Sequence, residues 1–300
     1  RAGERGEGKF ERVSWDEALT LVADGVLDAI QDQGPQSIIH EMTGAQGGPL
    51  ALGAVMRFVD LLGGVSMDLE GVVNDFAPGM YLTFGKIFVS SVDDWFQSDL
   101  IFIWHMNPAY TRIPFYHYIS EARYKGAEIV TVAPDVSPSA IHADYHVPVR
   151  PGADAALALG MAKVIVDEEL YDAQFVKEQT DLPLLVRLDN RRYLRESYVR
   201  DGGREDIFYF FDLRTGQTAE ASRETLSLGT VEPALEGRFS VSLKDGDAVE
   251  VTPVFELLRE RLRDYTPEKA SELSGVHPEV IRSMARKVSA KRTRVLLGFN

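Results

Sequence analysis

Cysteine is absent from all 300 residues of this sequence. Its absence excludes disulfides, cysteine nucleophiles and cysteine-ligated metal or iron–sulfur centres within these residues. Long apolar runs are absent too. The longest, at residues 99–104 and 153–166, are too short or too interrupted by polar residues to span a bilayer. We therefore expect no direct membrane insertion.

An excess of basic residues is also lacking. The chain has 46 acidic against 32 basic side chains and a net charge of −14, which argues against nucleic acid as a partner. No Gly-X-Gly-X-X-Gly loop occurs, which argues against an ordinary dinucleotide-binding α/β protein. The hydrophobic share of 45% is typical of a globular protein with one large or two ordinary domains.

Capping residues and prolines mark several helix starts. Ser14 followed by Glu17 forms a capping box ahead of an apolar pattern with helical spacing. Pro253, Pro267 and Pro278 each predict the first position of a further helix.

The most regular part of the sequence predicts a βαβ unit. Apolar strands at residues 99–104 and 128–133 flank a predicted helix at residues 112–124. A unit of this kind places its two strands side by side in a parallel sheet. We therefore predict an α/β fold.

The chain is predicted to contain four segments. Residues 1–35 are a linker and first helix, and residues 36–187 are an α/β ligand-binding region. Turn signals and short alternating strands make residues 188–252 a hairpin-rich insertion with little apolar mass. Residues 253–300 are predicted to return as helices to the α/β core.

Two residues near short predicted strands are candidates for chemistry. Asp75 follows a short apolar run in a loop rich in glycine and proline, and open α/β sheets bind ligands beyond the carboxyl ends of strands. Ordinary turn chemistry is the alternative for an Asn-Asp pair in such a loop. His40 ends another predicted strand and is a candidate proton donor or substrate contact, with a core or capping role as the alternative.

Three consecutive strand-to-helix loops carry small polar residues and prolines, at residues 104–108, 133–135 and 150–154. Helix N-termini favour phosphate, and an aspartate after a strand can accept hydrogen bonds from ribose hydroxyls or guanine N–H groups. Each loop alone is also explained by simple capping. Their occurrence on successive crossovers favours a large nucleotide-containing ligand. The candidate binding residues are Trp104, His105, Asn107, Pro108, Arg112, Pro134, Asp135, Pro151, Gly152 and Asp154.

The order and spacing of these motifs resemble the molybdopterin oxidoreductases of the dimethyl sulfoxide reductase family. The likeness includes the opening segment 3–19, Trp-X-X-Asn-Pro at 104–108, Ala-Pro-Asp at 133–135 and Arg-Pro-Gly-Ala-Asp at 150–154. Segment 180–187 is similar to the type II branch of that family. This branch includes respiratory nitrate, selenate and chlorate reductases, dimethyl sulfide dehydrogenase and ethylbenzene dehydrogenase.

The resemblance implies a bis(molybdopterin guanine dinucleotide) molybdenum cofactor held by the three loops. It implies that Asp75 is the molybdenum ligand, with Asp68 and Glu70 as alternatives. The family's cysteine-rich iron–sulfur motif is missing, so we expect that cluster in an N-terminal part outside this sequence. The Asp75 loop resembles the dehydrogenases and the selenate and chlorate reductases more than the nitrate reductases.

The implied function is that of a catalytic molybdenum subunit. Such a subunit transfers an oxygen atom, or hydroxylates a small-molecule substrate with oxygen from water, and exchanges electrons with partners. An iron–sulfur subunit is the implied partner, with a haem b subunit as a further candidate, and a periplasmic or membrane-associated location is expected through those partners. The alternative is a non-catalytic electron-transfer subunit that keeps the fold without the metal.

Overall fold

The chain divides into two units in a computed structural model, Arg1–Val89 with Phe299–Asn300, and Ser90–Gly298. Among the residues that it describes, no helix is long and apolar enough to cross a membrane. The described residues are 2–40, 48–66, 78–85, 91–221 and 227–298.

The first unit begins with the predicted helix α1 (Trp15–Gln33). The Ser14 hydroxyl accepts the Glu17 N–H at 3.2 Å, which confirms the predicted cap and contributes about 1 kcal/mol to helix stability. The other elements of this unit are a 3₁₀ helix (Pro35–Ser37), β1 (Ile39–His40), α2 (Gly48–Leu62), β2 (Val65–Ser66) and α3 (Pro78–Phe84).

Strands β1 and β2 pair in parallel and place His40 beside Ser66. The chain reaches β2 through Gly64, which packs tightly between helix and strand. A Cβ atom at Gly64 would lie 2.8 Å from both the Ile38 carbonyl oxygen and Val59 Cγ1. Only glycine fits this turn without displacing its neighbours.

A four-stranded parallel sheet forms the centre of the second unit and confirms the predicted α/β fold. The strand order is β11-β3-β4-β5, with all neighbours parallel. The strands are β3 (Leu100–Trp104), β4 (Glu128–Ala133), β5 (Tyr145–Pro148) and β11 (Thr293–Leu297).

Helices cover both faces of this sheet. One face packs Phe102, Val130 and Val147 against Leu157 and Ile281, which lie on two different helices. The other face packs side chains such as Ile101 and Ile129 against Ile119, Ala122 and Trp95. The covering elements are α6 (Asp154–Asp167), α10 (Pro267–Ser274) and α11 (Pro278–Ala290) on the first face, and a 3₁₀ helix (Val92–Gln97) and α5 (Ile113–Tyr124) on the second.

The order of the strands reverses once in this sheet. The chain runs from β3 through β4 to β5 in one direction, and β11 then lies on the other side of β3. Ligands of open α/β sheets bind beyond the carboxyl ends of the strands at such a reversal. Two short helical elements stand at this edge, α4 (Pro108–Thr111) and a 3₁₀ helix (Pro138–His142).

Residues 185–253 contain two antiparallel sheets, and most of their strands lie in segment 188–252, which was predicted as a hairpin-rich insertion. The prediction that it has little apolar mass is wrong. Within residues 188–252, Leu194, Val241 and Val251 belong to one buried cluster, and Phe210 and Ala221 to another. The alternation of these strands disperses their apolar residues along the sequence, and only strand pairing collects them. The elements here are α7 (Ala173–Gln179), β6 (Leu185–Arg187), α8 (Glu196–Val199), β7 (Phe208–Asp212), β8 (Gln217–Ala221), β9 (Phe239–Ser242) and β10 (Ala248–Pro253).

Pro253 does not occupy the first helical position predicted for it. It is the last residue of β10, where it pairs with Leu185, and it is the N-cap of α9 (Val254–Leu262). The extended backbone of Pro253, with φ −62° and ψ 150°, is compatible with both roles. Pro267 and Pro278 are the first residues of α10 and α11, as predicted.

Candidate functional site

The loop after β3 lies at the point where the strand order reverses, between β3 and β11. Gly298, which follows β11, donates its N–H to the Trp104 carbonyl oxygen at 2.8 Å. A Cβ atom at Gly298 would collide with the carbonyl oxygen of His105. Sequence reasoning missed this glycine, because its requirement arises only from the approach of two distant segments.

His105 gives this loop its turn. Its φ of 54° is in the left-handed region, and its N–H donates to the Val132 carbonyl oxygen on β4 at 2.8 Å. A non-glycine residue in this conformation is uncommon and carries a modest conformational cost. This left-handed conformation turns the chain from β3 into the Asn107-Pro108 segment.

Trp104 joins the first loop to the third. Its indole Nε1–H donates to the Asp154 carboxylate at 2.7 Å. Asp154 is the first residue of α6, and both side chains are half-buried. A hydrogen bond to a charged group of this kind contributes about 1.5–3 kcal/mol. The structure thus brings together two of the predicted binding residues that lie fifty positions apart in the sequence.

Asn107 joins the first loop to the segment after β4. Its side-chain oxygen accepts the Ser139 hydroxyl at 2.7 Å and the Ser139 N–H at 3.2 Å. The Ser139 hydroxyl in turn accepts the Ala109 N–H at 3.0 Å. Ser139 is completely buried and was not predicted as a site residue. No sequence signal separates it from Ser137 on the other side of Pro138.

The remaining predicted residues of the second and third loops face solvent. Pro134 and Asp135 follow β4, and Pro151 and Gly152 precede α6, and all four are exposed. Gly152 has a φ of +78°, and no atom lies within 4 Å of the position that a Cβ would take. These residues are therefore open to a ligand.

The ends of the first loop are fixed by the fold. Pro108 is buried at the start of α4, and Arg112 is the half-buried N-cap residue of α5. The third loop is anchored by Arg150, whose guanidinium donates to the Glu272 carbonyl oxygen at 2.7 Å. Arg150 therefore anchors the backbone ahead of α6 to the segment around α10.

The opposite, amino-terminal edge of the sheet carries charge pairs. An acid stands at or directly before the start of β3, β4 and β5, and each is paired with a base. Shortest distances include 2.9 Å for Asp99 with Arg292, 2.7 Å for Glu128 with Lys291 and 2.8 Å for Asp144 with Arg123. Lys287 is a second partner of Glu128.

These pairs lower the pKa values of the three acids. The Arg292 hydrogen bond is the main cause for Asp99. Burial alone would raise the pKa of Glu128, but hydrogen bonds from Lys287 and Lys291 outweigh it. Burial of Asp144 is likewise outweighed, by Arg123 and the Ile129 N–H.

Two further polar groups lie in the first unit. His40 Nδ1 and Ser66 Oγ are buried at the carboxyl ends of β1 and β2 and have no hydrogen-bond partner among the described residues. The predicted metal ligand Asp75 and its alternatives Asp68 and Glu70 lie outside the described residues. Within the described part of the chain, no three metal-ligating side chains lie together.

Comparison with known proteins identifies relatives for the whole chain. The family model described as "Molybdopterin oxidoreductase" matches residues 1–283. The dimethylsulfide dehydrogenase subunit alpha of Rhodovulum sulfidophilum is 40% identical over 308 residues, covering 100% of this chain and 33% of that protein. The chlorate reductase subunit alpha of Ideonella dechloratans is 41% identical over 311 residues, with the same coverage of 100% and 33%.

A solved structure shares the fold. Acetylene hydratase from Pelobacter acetylenicus matches with a TM-score of 0.58 and 22% identity over 98% of this chain and 31% of that one. This chain spans about a third of the length of the curated relatives it matches. The family match extends over nearly all of the chain and includes all three loops. The chain belongs to the molybdopterin oxidoreductase family, whose cofactor is a molybdenum-bearing molybdopterin.

Proposed function

We propose that this chain forms the cofactor-binding part of a catalytic molybdenum subunit. The observation that carries the proposal is the joining of the three strand-to-helix loops along the carboxyl edge of the sheet. Trp104 links to Asp154, and Asn107 links to Ser139, so the loops form one continuous edge. An edge of this extent suits a ligand larger than a mononucleotide.

The reaction that we propose is oxygen-atom transfer to or from a small substrate, or hydroxylation of carbon with oxygen from water. The two relatives are named for dimethylsulfide and chlorate, which are both small molecules. Both are alpha subunits, which implies further subunits. For this chain we propose an iron–sulfur electron-transfer partner, with haem b as a further carrier, and a periplasmic or membrane-associated complex.

The residues at the carboxyl edge fit the bis(molybdopterin guanine dinucleotide) form of the cofactor. The backbone around Gly152 leaves open space at the start of α6, where N–H groups favour phosphate. Asp135 is exposed after β4 and is suited to accept guanine N–H groups. When bound, the cofactor supplies a molybdenum centre that changes oxidation state as oxygen is transferred.

We assign the residues of this chain distinct roles. Trp104 and Asn107 orient the loops, and Asp135 and Gly152 contact the cofactor. Asp75 is the proposed metal ligand, because an anionic oxygen suits a hard, high-valent metal. His40 is the proposed proton donor or substrate contact. Its buried Nδ1 has no hydrogen-bond partner among the described residues, which supports a role in binding a polar group.

The test is to measure molybdenum and released guanine nucleotide in the full-length subunit, purified with its partners. We expect about one molybdenum and two guanine nucleotides per subunit, and loss of activity in Asp75→Ala. The variants Asp68→Ala and Glu70→Ala test the alternative ligands. The exposed Asp60 on α2 provides the matched control, Asp60→Ala, which should behave as wild type.

Two results would contradict the proposal. Absence of molybdenum from the wild-type complex would refute it and favour a non-catalytic electron-transfer subunit. Full activity in Asp75→Ala, together with loss in Asp68→Ala or Glu70→Ala, would move the metal ligand to the alternative residue.

A further inference from the structure

Asn107 and Ser139 each form side-chain hydrogen bonds with the other's segment rather than within their own. Asn107 is the N-cap residue of α4, but its side chain does not cap that helix. Its Oδ1 instead accepts the hydroxyl and the N–H of Ser139. The Ser139 hydroxyl then accepts the Ala109 N–H, which is the kind of helix N-terminal donor that a cap normally satisfies.

These hydrogen bonds couple the loop after β3 to the segment after β4. Pro108 has no N–H to donate, so Ala109 offers the first backbone donor of α4. That donor is satisfied from the segment after β4, and the Asn107 oxygen is satisfied from the same side chain. A hydroxyl has one donor and two acceptor positions, so a single oxygen can serve both partners.

The burial of Ser139 raises the importance of these bonds. Ser139 is fully buried, so water does not replace a lost partner there. A buried donor or acceptor left without a partner carries a desolvation penalty. The loop after β3 nevertheless keeps its other anchors, which are the Trp104 bond to Asp154 and the His105 bond to β4.

We propose that Ser139 is a positioning residue of the cofactor site. It fixes the separation between the Asn107 loop and the loop that carries Asp135, and so sets the spacing at which the two loops meet one cofactor. The proposal rests on the proposed function, because it takes both loops to be cofactor contacts. Ser139 itself bonds to Asn107 and Ala109, and its effect on the cofactor is indirect.

The experiment uses the full-length subunit purified with its partners. Molybdenum and guanine nucleotide that remain bound are measured over time after passage through a desalting column, for wild type, Ser139→Ala and Ser137→Ala. Ser137 is the matched control because it lies in the same segment and makes no side-chain cap bond. We expect Ser139→Ala to lose cofactor about tenfold faster than wild type, since the Asn107 oxygen and the Ala109 N–H lose their partner beside a fully buried position, and Ser137→Ala to match wild type.

A second variant separates hydrogen bonding from packing. Ser139→Cys keeps nearly the same side-chain volume but forms weaker hydrogen bonds. We expect it to lose cofactor almost as fast as Ser139→Ala. Retention at the wild-type level in Ser139→Cys would overturn the proposal, and this holds even where Ser139→Ala fails to fold.

A double-mutant cycle with Asn107→Ala gives an independent test. If the two side chains act as one link, then Ser139→Ala adds little to the loss already caused by Asn107→Ala. If the increases in cofactor loss of the two single variants add up fully in the double variant, the proposed link between Asn107 and Ser139 is wrong. Absence of molybdenum and guanine nucleotide from the wild-type complex would refute the proposed function instead. A loaded wild type with equal retention in Ser139→Ala and Ser137→Ala would refute the Ser139 proposal alone.

Discussion

The two edges of the parallel sheet are built from different interactions. At the amino-terminal edge, Asp99, Glu128 and Asp144 are each paired with a base from a neighbouring element. At the carboxyl-terminal edge, loops are joined by side-chain hydrogen bonds from Trp104 and Asn107.

From this difference we infer that the amino-terminal edge contributes to stability and the carboxyl-terminal edge to ligand binding. Partly exposed ion pairs contribute less than about 1 kcal/mol each, so loss of one should be tolerated. The bonds at the carboxyl edge involve half-buried or buried groups and fix loops whose exposed backbone and side chains are open to a ligand. Changes at the carboxyl edge should therefore affect cofactor retention, whereas changes at the amino edge should affect only stability.

The largest effect is expected for Gly298→Ala. Its Cβ would collide with the His105 carbonyl oxygen, so the loop after β3 must move. Overpacking of this kind costs about 1–3 kcal/mol and here displaces the loop that carries Asn107. We expect cofactor content of the purified complex to fall strongly while the subunit still folds.

Gly25→Ala is the control for this substitution. Gly25 lies on α1, and no atom is within 4 Å of its Cβ position. Wild-type cofactor content in Gly298→Ala would show that the close approach of β11 to the loop is unimportant for the site, and would weaken the contrast between the two edges.

A smaller effect is expected for Trp104→Phe. The substitution keeps an aromatic ring but removes the N–H that binds Asp154, which corresponds to about 1.5–3 kcal/mol. We expect roughly tenfold faster loss of bound molybdenum and guanine nucleotide. The measurement is the same desalting time course that is used for Ser139.

Trp95→Phe is the matched control for Trp104→Phe. Trp95 is buried under the other face of the sheet, and the same substitution there leaves a cavity without removing a hydrogen bond between the loops. It should lower the melting temperature and leave cofactor retention unchanged, because the Trp104–Asp154 bond stays in place. Equal cofactor loss in both variants would mean that retention reports general stability rather than the Trp104 bond.

The centre of the parallel sheet was predictable because β3 and β4 are nearly continuous apolar runs. Strands predicted at residues 99–104 and 128–133 are found at Leu100–Trp104 and Glu128–Ala133. The antiparallel part was harder, since β6 pairs with β10 far along the chain and neither strand is a continuous apolar run. Its local pattern therefore gave turns and short strands but concealed a shared core.

The site was predictable as a set of loops but not as a set of contacts. Turn and capping residues mark where each loop begins, which placed Trp104 and Asp154 among the candidates. Which loop side chains meet depends on how far each strand extends relative to its neighbours at the carboxyl edge, and this is set by the register of the sheet. Ser139 became distinguishable from Ser137 only through its contact with Asn107.

The smallest effect is expected for Glu128→Gln at the amino edge. Glu128 pairs with two lysines, Lys287 and Lys291. Its own side chain is 20% exposed, but those of the two lysines are 40% and 36% exposed, so each pair is near the surface. We expect the melting temperature of the subunit to fall by a few degrees at neutral pH, with cofactor retention unchanged. Glu121→Gln is the control, because Glu121 is exposed on α5 in the same unit.

The pH dependence gives the sign of this effect. The pKa of folded Glu128 is lowered from its ordinary value of 4.5, so its stabilising contribution is complete above that value. The contribution is lost as pH falls through the lowered pKa of the folded state. The difference in melting temperature between wild type and Glu128→Gln should therefore be constant from about pH 6 to 8 and shrink in acid. A difference that grows on acidification, or a loss of cofactor in this variant, would contradict the assignment of the amino edge to stability alone.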